Sequence, residues 1–131
     1  MRPDIINPIL QAADQQIQLT VTDSSGAAYD MSSASKLIVA VYYEDGTLLQ
    51  KYSKNSAAGW SVLDVTSASS GILKFKIETG DTITAPPGKV FAEVRIQTAD
   101  VSYEDGYYDL LGQGIYIGEI VQSITSTLTL P

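Results

Sequence analysis

Apolar and polar positions alternate with a period of two along most of this chain, the period of half-buried strands. Residues 16–22 set Ile17, Leu19 and Val21 on one side and Gln18, Thr20 and Thr22 on the other. Residues 72–78 oppose Leu73, Phe75 and Ile77 to Lys74, Lys76 and Glu78. Residues 89–98 turn Val90, Ala92, Val94 and Ile96 inward and Glu93, Arg95 and Gln97 outward. Residues 36–43 are apolar on both sides, with Leu37, Val39, Val41 and Tyr43 opposite Ile38, Ala40 and Tyr42. That pattern marks a central strand, or one whose second face meets a partner.

Turn chemistry separates these runs. Asp23-Ser24-Ser25-Gly26 and Glu44-Asp45-Gly46-Thr47 are turn and hairpin signals, and the second predicts a return strand over 48–53. Thr66 to Gly71 is Ser-rich, Gly80 to Gly88 holds Pro86-Pro87-Gly88, and Asp100 to Gly106 is a polar hairpin loop. Trp60, Val62, Leu63 and Val65 return apolar mass to the body. Residues 107–122 predict one long strand or two, broken at Gly112 and Gly114. Ile124, Ser126, Leu128 and Leu130 alternate with Thr125, Thr127 and Thr129. Only 8–14 offers a helix, a short one with Asn7 as cap and Pro8 at its first position; a strand or turn is the other reading. Seven to nine short strands at this spacing predict an all-β sandwich.

The 131 residues suit one domain. It divides into an N-terminal arm over 1–14, a sandwich over 15–122, and a C-terminal strand or tail over 123–131. Ile5, Ile6, Ile9 and Leu10 make the arm apolar without clean alternation. The arm either packs on its own domain or docks on another subunit. Ile124, Leu128 and Leu130 give the tail the same double reading. Strand addition to a neighbour would use such flanks. Removing 123–131 is then expected to leave a folded domain that no longer joins its assembly.

Chemistry is narrowed by what is missing. With no Cys and no His, disulfides, Cys/His zinc sites, Cys nucleophiles and His triads are excluded. A net charge of −7 argues against nucleic acid or an anionic membrane as partner. No apolar run reaches the roughly 18–20 residues that span a bilayer. The start, Met1-Arg2-Pro3-Asp4, lacks the pattern of a secretory signal, so assembly in a cytoplasm is expected. The aspartates fall at turns, where each has a backbone role available; a paired-carboxylate hydrolase or a loop calcium site is the competing reading. Gly112-x-Gly114-x-x-x-Gly118 is followed by strand-forming residues and reads as a bulge rather than a phosphate loop. No enzyme activity and no cofactor or metal is expected. The eight tyrosines are the stronger signal. Tyr42-Tyr43 and Tyr107-Tyr108 put one ring on each side of a strand. Tyr42, Tyr107 and Tyr108 are therefore candidates for partner contact, and Tyr with Trp60 for glycan contact, against simple core packing.

Thr22-Asp23-Ser24-Ser25-Gly26-Ala27-Ala28-Tyr29-Asp30-Met31-Ser32-Ser33-Ala34 resembles the opening of small phage immunoglobulin-like domains. The group includes the N-terminal domain of siphophage baseplate upper proteins. Asp45-Gly46-Thr47-Leu48, Gly71-Ile72-Leu73-Lys74-Phe75-Lys76-Ile77, Gly80-Asp81-Thr82, Pro86-Pro87-Gly88 and Phe91-Ala92-Glu93-Val94-Arg95-Ile96 follow in the group's order, over about residues 16–122. Gly88-Lys89-Val90-Phe91 departs from the group's Gly-x-Tyr. The resemblance implies an immunoglobulin-like antiparallel sandwich and a virion structural role in tail, baseplate or head decoration. It also implies other virion proteins as partners in a symmetric, homo-oligomeric assembly.

Overall fold

The computed structural model of the protein describes residues 8–10, 14–82 and 84–121. Among these residues it is all-β, with eight strands in two sheets. The strands are β1 (Pro8–Leu10), β2 (Gln15–Thr20), β3 (Lys36–Tyr43), β4 (Leu48–Ser53), β5 (Ser61–Val62), β6 (Ile72–Ile77), β7 (Gly88–Ala99) and β8 (Tyr107–Val121). The large sheet runs β1-β8-β7-β3-β4-β5 and the small one is β2-β6. Pairing is antiparallel except at the large sheet's two edges, where β1 joins β8 and β5 joins β4 in parallel.

The core lies between the sheets and uses the positions the alternation marks as inward. Leu37, Val39 and Val41 of β3, with Val90, Ala92, Val94 and Ile96 of β7, face Leu19, Leu73, Phe75 and Ile77 of the small sheet. Such burial is worth about 25 cal/mol for each Å² of apolar surface removed from water. Tyr52 of β4 ties the layers together. Its ring centre lies 4.6 Å from that of Phe75, and its hydroxyl donates to the Lys76 carbonyl at 2.7 Å. Gly71 closes the 3-10 turn Ala68–Ser70 with φ +76, and its carbonyl accepts the Val21 N–H at 2.7 Å.

Two open local readings are decided and one changes. Residues 8–10 form a strand, not a helix; a proline that opens an edge strand costs the ladder no donor. A single helical turn, Thr79–Thr82, stands where a loop is expected, with the Asp81 carboxylate accepting the Glu78 N–H at 2.8 Å. Residues 107–121 are one strand, not two. Its register against β7 shifts opposite Ala92 to Val94, where Gly112 and Gly114 allow a bulge. Gly114 sits at φ +67, and its N–H donates to the Tyr42 hydroxyl at 3.1 Å. Ile5, Ile6, Ile124, Leu128 and Leu130 lie outside the described residues, as does the segment 123–131.

Candidate functional site

The two outward faces of the molecule differ in chemistry. On the small sheet, Gln16, Gln18 and Thr20 of β2 stand opposite Lys76, Lys74 and Ile72 of β6, a mostly polar surface. On the large sheet, register aligns Leu48 of β4, Tyr42 of β3, Phe91 of β7 and Tyr116 of β8 in one row across four strands. At about 4.8 Å between strands the row is roughly 14 Å long. The Tyr42 and Phe91 ring centres are 6.2 Å apart at an interplanar angle of 30°, and Phe91 meets Tyr116 edge-on at 5.7 Å and 63°. Leu48 is 52% exposed and Tyr116 38%.

Neighbouring positions frame this strip with charge. Lys36, Lys51, Lys89 and Arg95 lie on the same side of the large sheet, four of the eight Lys and Arg residues in the chain. Glu93 and Asp109 share it: Glu93 accepts from the Gln113 amide at 2.7 Å, and Asp109 pairs with Arg95 at 3.2 Å. Lys36 sits 4.6 Å from the Tyr107 ring centre and Lys51 4.6 Å from that of Trp60, both within cation–π reach. The surface is an apolar ridge with a mixed-charge, partly basic frame on an otherwise acidic chain.

Of the residues singled out from sequence, Tyr42 is in the ridge. Tyr107 lies on the same side under Lys36. Tyr108 turns the other way and meets Tyr103 at 5.7 Å between ring centres. Ile9 and Leu10 fall in β1, whose backbone pairs with Ile120 and Val121 of the same chain. Trp60 lies beside β5, with one ring face under Lys51. Phe91, Tyr116 and Leu48 were not singled out. Phe91 had a usable signal: it is the apolar residue among the outward positions Lys89, Glu93 and Arg95. Tyr116 had none, because the bulge shifts its face by a residue.

Comparison with known proteins finds no family model, no curated sequence and no solved structure that matches this chain. The functional reading therefore rests on the chain's own geometry.

The turn aspartates are engaged in local structure. Asp23 accepts from the Ser25 N–H and hydroxyl, Asp45 from the Thr47 N–H, Asp64 from the Thr66 N–H, and Asp100 from the Ser102 N–H and hydroxyl. Among the described residues, no cluster of three acidic groups could hold a metal ion. Hydrogen bonds from Ser25 hold Asp23 below the ordinary 3.8, those from Ser32 do so for Asp30, and those from Thr66 for Asp64. The Thr47 N–H and hydroxyl lower Asp45, and Ser102 lowers Asp100. A depressed carboxylate stabilises the fold above its unfolded pKa and loses that contribution as pH falls through the folded value. Tm is therefore expected to stay level from neutral pH down to about 5 and to fall below about pH 4. Calorimetry over that range checks it; a Tm that rises on acidification would mean that relief of the net −7 charge outweighs the turns.

Proposed function

We infer that this chain is a non-catalytic receptor-binding module, built on an immunoglobulin-like sandwich, that engages a protein partner through the outer face of its large sheet. The Leu48, Tyr42, Phe91 and Tyr116 row carries the reading. Aromatic side chains give interfaces large contact area at low entropic cost. The Lys and Arg frame suits a partner with acidic groups at its rim. The chain path supports the sandwich: β2 and β6 lie in the small sheet, while the β3–β4 and β7–β8 hairpins lie in the large one. Asp23, Asp45, Asp64 and Asp100 serve as turn acceptors, which suits a non-catalytic role.

A carbohydrate ligand is less well supported. The ridge rings meet at 30° and 63° rather than forming one flat platform, and Lys51 takes a face of Trp60. Arrays of purified surface proteins and of glycans, probed with the labelled chain, separate the two. Protein signals are expected, lost in Phe91→Ser and Tyr116→Ser and kept in Trp60→Ala. Glycan signals that depend on Trp60 would overturn the reading.

The second reading is the virion-assembly role, with the same ridge seated on neighbouring virion proteins. One observation favours it: among the described residues the outer edge of β8 has no neighbouring strand from Tyr107 to Gly118, a second surface on which a neighbouring chain could seat beside the ridge. Under this reading the ridge variants fold but fail to join a reconstituted assembly.

A further inference from the structure

The sheets are unequal, six strands against two, and the mismatch leaves one flank of the molecule open. Among the described residues β2 has β6 on one side and no strand on the other. The end of β2 at Thr20, with the turn that follows it to Ser24, looks onto the first half of β8 across a groove of about 560 Å³. Val94, Ile96, Leu110 and Ile115 line the groove, with Tyr108 at one wall and Thr20 at the other. The outer ridge lies on the opposite side of the large sheet, so the two features are separate.

The chemistry of the edge specifies what can bind there. The Val21 N–H donates to the Gly71 carbonyl at 2.7 Å, directly continuing the β2–β6 register. In an antiparallel pair, alternate residues point their backbone groups to opposite edges. Ile17 and Leu19 therefore bond toward β6, while Gln16, Gln18 and Thr20 turn N–H and C=O toward the open flank. A lipid chain could fill the apolar groove but would leave those donors and acceptors unpaired. An extended polypeptide matches both features, because its backbone repeats donor and acceptor at the same spacing and its side chains alternate.

We propose that this flank is a strand-receiving site: an extended segment of a partner polypeptide pairs with β2 as the third strand of the small sheet. Alternate apolar side chains of that segment enter the groove over Leu110 and Ile115. The intervening side chains continue the polar surface of Gln16, Gln18 and Thr20.

Selection of a displayed random dodecapeptide library against the full chain tests this, followed by calorimetric titration of the enriched sequences as soluble peptides. Enriched peptides are expected to alternate apolar and polar residues. Methylating their backbone nitrogens on the β2-facing side should weaken binding at least about tenfold, the scale of one lost hydrogen bond. Gln18→Pro removes a donor from the open edge without touching the β6 ladder and should weaken binding by a similar factor. Leu110→Asp should do so from the groove side, and Tyr116→Ser should leave binding unchanged. Melting curves establish that each variant is folded; if Gln18→Pro is not, Leu110→Asp and the methylated peptides decide. Failure to enrich any peptide, peptides indifferent to methylation and to Leu110→Asp, or binding lost in Tyr116→Ser would each overturn the proposal.

Discussion

Tyr52→Ala is expected to lower the unfolding free energy by about 3–5 kcal/mol, the range for a large aromatic deleted from a packed core. Tyr52 is 1% exposed, packs its ring tilted at 37° and 4.6 Å from that of Phe75, and donates its hydroxyl to the Lys76 carbonyl across the two layers. The truncation removes both the packing and the tether. Tyr52→Phe keeps the ring and should cost only about 1 kcal/mol, the net value of one hydrogen bond. Urea unfolding of the three proteins separates the contributions, and a Tyr52→Ala loss no larger than that of Tyr52→Phe would show that packing on Phe75 matters little. The phenol also sets an alkaline limit. Burial first, then Asp81 and Glu78, pushes its pKa well above the ordinary 10. A phenol raised in the folded state contributes stability below its unfolded pKa and loses it as pH climbs past that value. The wild type should therefore weaken above about pH 10, and Tyr52→Phe should weaken less there.

Gly71→Ala is the second large effect. At φ +76 a side chain is strained, which costs about 1–3 kcal/mol without any clash. Here a Cβ would also stand 2.6 Å from the Val21 carbonyl oxygen and 3.1 Å from the Tyr29 nitrogen. Those two atoms are bonded to each other, the Tyr29 N–H donating to the Val21 carbonyl, at the junction where the Val21 N–H also donates to the Gly71 carbonyl. Relief of the clash must open that junction. Gly46→Ala is the control: its φ is +91 but no atom lies within 4 Å of the added carbon. Thermal unfolding should show Gly71→Ala far below Gly46→Ala; equal losses would mean that dihedral strain alone sets the cost.

The alternation of Leu37, Val39 and Val41, and of Leu73, Phe75 and Ile77, made strands and core legible, because a strand in a two-layer protein must put one parity inside. Asp-Gly at 45–46 made the β3–β4 hairpin legible for a local reason. The row of Leu48, Tyr42, Phe91 and Tyr116 was not legible, since it depends on register between strands far apart in the chain. Two of its members are also displaced by irregularities, between Val41 and Tyr42 on one side and between Val90 and Phe91 on the other. Parity counted along a single strand cannot foresee such shifts. The open flank of β2 was hidden as well, because alternation says which side of a strand is wet but not how many strands lie opposite.

The borders of the large sheet have one more consequence. β1 covers only Glu119–Val121 of β8 and β5 only Tyr52 and Ser53 of β4, so among the described residues most of the outer edge of β8, from Tyr107 to Gly118, has no neighbouring strand. Long, flat margins invite sheets of separate molecules to merge into fibrils, and the irregularity of β8 between Gly112 and Ile115 breaks up this one. An edge interrupted in this way is a poorer template for joining copies side by side than a straight one of the same length.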